Sequence, residues 1–159
     1  MEKIKRISVY LCAVALVIVD QVIKMAVINN IKDTSITIIK GILSFTYCEN
    51  KGVAFSFGAG HVPVFIAVNL IIICGLTVYY ERNKTEFKSV ISKIFFTMVI
   101  AGGASNLIDR IVRGFVVDFI DVSELFNFAI FNVADIFIVV GIIGLALNFI
   151  FQGIKVSKK

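Results

Sequence analysis

Four apolar stretches, each long enough to cross a bilayer as a helix, leave this chain little choice of architecture. A crossing helix takes ~20 largely apolar residues. The stretches run from about 7 to 28, 62 to 80, 90 to 108 and 128 to 154. Asp20 and Lys24 interrupt the first, the second carries no charge, and Lys93 stands near the start of the third. Asp135 is the only charge in the fourth. Hydrophobic residues make up 58% of the 159, above the ~45–50% usual for soluble domains. The expected fold is an all-α membrane protein with four transmembrane helices in a single domain, 1–159.

The formal net charge of +5 does not point to nucleic acid, because the basic residues form no stripe and gather at the ends of apolar segments. Lys3, Lys5 and Arg6 precede the first span. Arg82, Lys84, Lys88 and Lys93 lie around the turn between the second and third, and Lys155, Lys158 and Lys159 follow the fourth. The positive-inside rule then places both termini in the cytoplasm. The first span resembles a signal peptide in its basic start, but no small-x-small cleavage site follows it, so an uncleaved helix is expected.

Between the first two spans, Thr37-Ile38-Ile39 and Leu43-Ser44-Phe45-Thr46-Tyr47 are β-branched and aromatic runs broken by Gly41 and Asn50-Lys51-Gly52. This pattern predicts short strands over about 33–58, a small extracytoplasmic sheet between helices 1 and 2.

Charge at membrane depth is costly and marks function by default. With a helical rise of 1.5 Å per residue, Asp20 lies roughly 20 Å above the cytoplasmic end of its span and Asp135 roughly 28 Å above the end of its own. Asn106, Asp109 and Arg110 are expected to close the third helix at its outer end. Asp118 and Asn50 fall in outer connections. The unusual polar residues therefore collect at one level. Each also has a plainer reading. Asp20 and Lys24 are spaced i,i+4 and form a neutralising ion pair on that reading. Asp109-Arg110 then only ends a helix, Asn50-Lys51-Gly52 is a turn, Asn132 is a helix-packing amide, and Asp118 is a solvated loop carboxylate.

Other chemistries lack their parts. His61 is the only histidine, which leaves no histidine-based triad and no multi-histidine metal site. Cys12, Cys48 and Cys74 are scattered without metal or redox spacing. A Ser–Lys dyad through Lys24 has no favouring context. No cofactor is called for.

Five clusters occur in order: Asp20-Gln21-Val22-Ile23-Lys24; Asn50-Lys51-Gly52-Val53-Ala54-Phe55-Ser56; Gly102-Gly103-Ala104-Ser105-Asn106-Leu107-Ile108-Asp109-Arg110; Val116-Val117-Asp118-Phe119-Ile120; and Phe131-Asn132-Val133-Ala134-Asp135. Together they resemble the motifs of bacterial lipoprotein signal peptidase, signal peptidase II. Val53 and Ser105 depart from the residues usual at their positions. The resemblance implies an aspartic endopeptidase of the bacterial cytoplasmic (inner) membrane, with its active site at the outer face. Its substrates would be diacylglyceryl-modified prolipoproteins presented in membrane lipid and cut before the lipidated cysteine. Globomycin-type cyclic peptides would inhibit it. The same resemblance assigns Asp118 and Asp135 as the catalytic pair. It gives Asn50, Gly52, Asn106, Asp109, Arg110, Asn132 and Ala134 supporting or substrate-contact roles, and Asp20 and Lys24 a structural one. The chemistry is coherent: of two neighbouring carboxylates one stays protonated while the other activates water. The rival readings are a transporter or channel subunit with the two aspartates as ion ligands, and a small membrane scaffold.

Overall fold

The computed structural model describes residues 2–52, 61–87 and 89–157. It contains α1 (Glu2–Ile31), β1 (Ser35–Ile39), β2 (Leu43–Asn50), α2 (Val62–Arg82), α3 (Val90–Arg113), β3 (Val116–Asp121) and α4 (Val133–Ser157). All four helices are long and apolar enough to span a membrane. Large apolar side chains such as Leu11, Ile71 and Phe151 point outward, as lipid-facing helices require. The end of the expected sheet region, 53–58, lies outside the described residues, and with it the cluster 53–56.

Helix α3 is the pillar. It packs against α1, α2 and α4, and 56% of its most apolar window is buried, against none of that in α2. Ser89 caps its start by accepting from the Ile91 amide at 3.1 Å, and Gly114 ends it in the left-handed conformation at φ 78°. The helix does not close at 108 as expected; it runs on to Arg113. Asp109 and Arg110 stay helical because their charges are met by partners inside the protein, described below.

The contact of α3 with α4 depends on glycine. A Cβ on Gly141 would lie 2.6 Å from Val99 Cγ2 and 2.8 Å from the Phe95 carbonyl oxygen. One on Gly102 would meet the Ala134 carbonyl oxygen and Ile138. Missing side chains at these points let the two backbones approach closely. At the far end, Tyr80 stacks on Phe96 with centroids 4.4 Å apart, Phe87 packs edge-on against both, and Tyr10 donates to Glu81. This cluster ties α1, α2 and α3 together away from the polar residues.

The sheet is antiparallel, in the order β1-β2-β3. Strands β1 and β2 form the expected hairpin, turning through Gly41 at φ 77°. The third strand comes from a segment read as loop: Val116 pairs with Asn50 and Asp118 with Cys48. The fourth helix begins at Val133, not at 128. The backbone before it is taken by the sheet, since Phe119 and Ile120 donate to the Phe131 carbonyl at 3.0 and 2.8 Å and Phe131 donates back to Ile120 at 3.1 Å.

Gly141→Leu should destabilise the protein by ~1–3 kcal/mol, the usual cost of overpacking, because the Phe95 carbonyl cannot move aside. The thermal midpoint of the purified variant in detergent checks this; an unchanged midpoint would mean that α3 and α4 do not need the close approach.

Candidate active site

Asn132 is the residue that converts sheet into helix. Its side-chain oxygen accepts from the Asp135 amide at 2.9 Å, while Asp135 Oδ2 accepts from the Asn132 amide at 3.2 Å. This reciprocal pair is a capping box with Asn and Asp in place of the commoner residues. It fixes the Asp135 carboxylate in the first turn of α4, where helix amides favour an anion.

The same Asn132 reaches the other aspartate. Its Nδ2 donates to Asp118 Oδ1 at 2.6 Å and to Asn106 Oδ1 at 3.2 Å. Asn106 Nδ2 in turn donates to Asp135 Oδ1 at 2.7 Å, and Asn50 Nδ2 donates to Asp118 Oδ2 at 2.9 Å. Three amides therefore clamp both carboxylates into one cluster. Asp118 is buried and Asp135 half-buried. Burial first, and the neighbouring Asp135 charge second, push the Asp118 carboxyl up to about 7 against the pull of Asn50 and Asn132. Burial, then the Asp118 charge, also raises the thiol of Cys48, its partner across the ladder. That thiol stays protonated and makes a poor nucleophile.

Both aspartates line a cavity of about 600 Å³ between α2, α3, α4 and the sheet. Asn50, Asn106 and Arg110 share its wall. Arg110 donates to the Gly52 carbonyl at 2.9 Å and to the Asn106 carbonyl at 3.3 Å, and its guanidinium lies 6.0 Å from the Phe65 ring centroid. Gly52 donates to Asn50 Oδ1 at 3.1 Å, so the turn after β2 is locked to the arginine. Among the described residues no group of three or more His, Cys, Asp or Glu could hold a metal ion.

Behind the cavity lies a second cluster that the sequence reading divided differently. Lys24 Nζ is wholly buried and sits 2.8 Å from both Asp20 Oδ2 and Asp109 Oδ2. It also donates to Asn106 Oδ1 at 3.1 Å. Asp109, expected in a supporting or substrate-contact role, supports from behind the cavity: it accepts from the Val117 amide at 3.2 Å and pairs with Arg113. Asp20 accepts from the Ala134 amide at 2.9 Å, and Ala134 is buried outside the cavity lining. Each rear carboxylate thus holds the amide just before one of the two cavity aspartates. Ser105 donates to Asp20 at 2.6 Å and accepts from Gln21 at 2.9 Å, so its departure from the motif adds a partner. Gln21 continues to Asp109 at 3.0 Å and accepts from Arg113 at 3.0 Å.

Sequence reasoning gave no role to Gln21, Ser105 or Arg113. The i,i+4 spacing of Asp109 and Arg113 was the available signal. Nor did sequence reasoning mark Asn69, an amide on the cavity wall, because a neutral side chain leaves no charge signal in an apolar span.

The family described as Signal peptidase (SPase) II matches residues 12–151. The chain belongs to the signal peptidase II family. It is 34% identical over 142 residues to a lipoprotein signal peptidase of Clostridioides difficile strain 630, covering 89% of this chain and 93% of that one. Identity to the lipoprotein signal peptidase of Halothermothrix orenii is also 34%, over 94% of this chain and 99% of the relative. A bacterial membrane enzyme solved by the in meso method at 2.3 Å superposes with a TM-score of 0.80 at 31% identity, over 92% of this chain and 89% of its own. As a signal peptidase II the chain is an aspartic-type peptidase, which sets aside the transporter and scaffold readings.

Lys24→Met should destabilise this signal peptidase by ~3–5 kcal/mol, because it leaves the buried Asp20 carboxylate without its cation and Asp109 with Arg113 alone. Adding Asp20→Asn to Lys24→Met should recover part of the loss. Thermal midpoints of the single and double variants test the pair; a Lys24→Met protein as stable as the parent would show that the buried ammonium holds nothing together.

Proposed function

We propose that this chain, acting as one membrane-embedded domain, removes signal peptides from diacylglyceryl-modified prolipoproteins by hydrolysis before the lipidated cysteine. Asp118 and Asp135 are the reacting pair. The observation that carries the assignment is the amide clamp: two carboxylates held by Asn50, Asn106 and Asn132 on the wall of one cavity. The charged partner takes a proton from water as the oxygen attacks the scissile carbonyl, and the protonated partner donates to the carbonyl oxygen. Water supplies both the hydroxyl that ends on the new carboxyl group and, through the pair, the proton that leaves on the amine. Arg110, with its fixed fork of donors, orients the substrate backbone or the lipid ester groups, and Asn50 and Gly52 hold the edge of the site.

The membrane is the bacterial cytoplasmic one. Both termini face the cytoplasm, as the basic residues at their end of the bundle argue, and the site opens at the outer face. Acyl chains bury in the surrounding lipid, each CH₂ contributing ~0.8 kcal/mol, so the diacylglyceryl group delivers the cysteine to the level of the pair. Globomycin-type cyclic peptides occupy the same cavity.

Asp118→Asn and Asp135→Asn should each leave a folded protein that cleaves at least about a thousandfold more slowly, because an amide of the same shape cannot exchange the proton. Turnover near that of the parent in either folded variant would remove that aspartate from the reaction. The pH dependence has a definite sign. Asp118 is neutral below about 7 and charged above it, so kcat/KM should fall as pH rises through that value and the pair loses its shared proton. A profile flat to pH 9 contradicts this. Purified protein should cleave the lipidated precursor in the presence of chelator, be blocked by globomycin, and leave the unlipidated precursor nearly intact. Equal rates on both precursors would mean the lipid is not read.

A further inference from the structure

The scissile bond can be attacked only where the substrate backbone is extended, and an extended backbone in a bilayer has N–H and C=O groups without partners. Such backbone is tolerated at membrane depth only where protein supplies hydrogen bonds or a cavity. Below the aspartates the cavity wall is nearly all apolar, formed by side chains such as Val68, Ile72, Ile138 and Val139. Asn69 is the exception. It is the eighth residue of α2, in the stretch 62–76 that is otherwise apolar, and it lines the cavity.

Its Nδ2 donates to the Gly103 carbonyl of α3 at 3.1 Å. Gly103 lies three residues before Asn106, so its Cα is roughly 4.5 Å deeper along α3; its carbonyl points outward, so the Asn69 amide meets α3 at most that far below the amide that holds Asp135. The Gly103 bond uses one of the two N–H groups. The other N–H and the carbonyl oxygen complement a peptide group, which presents one donor and one acceptor. An extended chain rises about 3.3 Å per residue. Within that distance lie only the first one or two residues on the membrane-buried side of the cut. A clamp between helices accounts for the Gly103 bond, which uses one N–H of an amide that also lines the cavity.

We infer that Asn69 is a substrate-contact residue whose side-chain amide hydrogen-bonds the unwound signal-peptide backbone one or two residues before the scissile bond. This rests on the peptidase reading above and adds to it a residue outside the five motifs. The bond to Gly103 pre-orients the amide, so little rotamer freedom is lost when substrate arrives.

The test is a double-mutant cycle on synthetic diacylglyceryl lipopeptides. In each peptide one backbone amide is replaced by ester, at successive positions from one to five residues before the cut. Parent, Asn69→Leu and Asn69→Ala proteins are compared by kcat/KM and thermal midpoint. On the all-amide peptide both variants should lose roughly tenfold in kcat/KM, the size of one hydrogen bond to a peptide group. An ester one or two residues before the cut should slow the parent but not slow either variant further. An ester five residues away should affect all three proteins alike. Losses that multiply at every ester position, or a folded variant with parental kinetics, overturn the inference and leave Asn69 as a helix clamp. If one substitution prevents folding, the other carries the cycle. No cleavage of the all-amide lipopeptide by the parent defeats the peptidase reading itself, and the inference with it.

Discussion

The buried ammonium of Lys24 is the interaction on which the rest of the site depends. An ion of this kind costs several kcal/mol to bury and is held only by excellent partners. Here it has three, Asp20, Asp109 and Asn106, and those three belong to α1 and α3. Through them it reaches further. Asp20 holds the amide of Ala134 at the start of α4, and Asp109 holds the amide of Val117 on β3. One cation thereby sets the position of two segments that are distant in sequence, each carrying one of the two aspartates. Charge is balanced locally: Lys24 and Arg113 face Asp20 and Asp109. The cavity carboxylates are left with Arg110 as the cation sharing their wall.

Much of this was legible in the residues. Apolar runs gave the four helices, because the bilayer fixes their length, and the β-branched runs around Gly41 gave the hairpin. The motifs gave nearly all the polar residues of the site. Illegible were the places where tertiary pairing overrides local pattern. Val116–Asp121 reads as an apolar stretch with two acids, and only the edge that β2 offers makes it a strand. Asp109 and Arg110 look like the charged end of a helix, yet α3 continues because Lys24, Arg113 and Gly52 meet those charges. Phe128–Phe131 is apolar enough for a helix, but Ile120 claims its backbone. The capping pair of Asn132 and Asp135 was a boundary signal present in the sequence, and the apolar residues upstream obscured it.

The contact that gives the cavity its shape is looser than the contacts α3 makes with α1 and α4. Helix α2 leans on α3 and presents little buried surface of its own, while α3 and α4 are drawn together by glycines. The rigid side of the molecule therefore carries the aspartates and their supporting amides, and the less tightly packed side forms the facing wall. On the proposed function, a substrate helix arriving through lipid needs such an asymmetry: the aspartates stay fixed while the wall opposite admits a chain of variable side chains. Asn69 lies on that wall and is tied by its amide to the pillar. On the function proposed above, recognition of backbone rather than side chain suits substrates that share a peptide and a lipid more than they share a sequence.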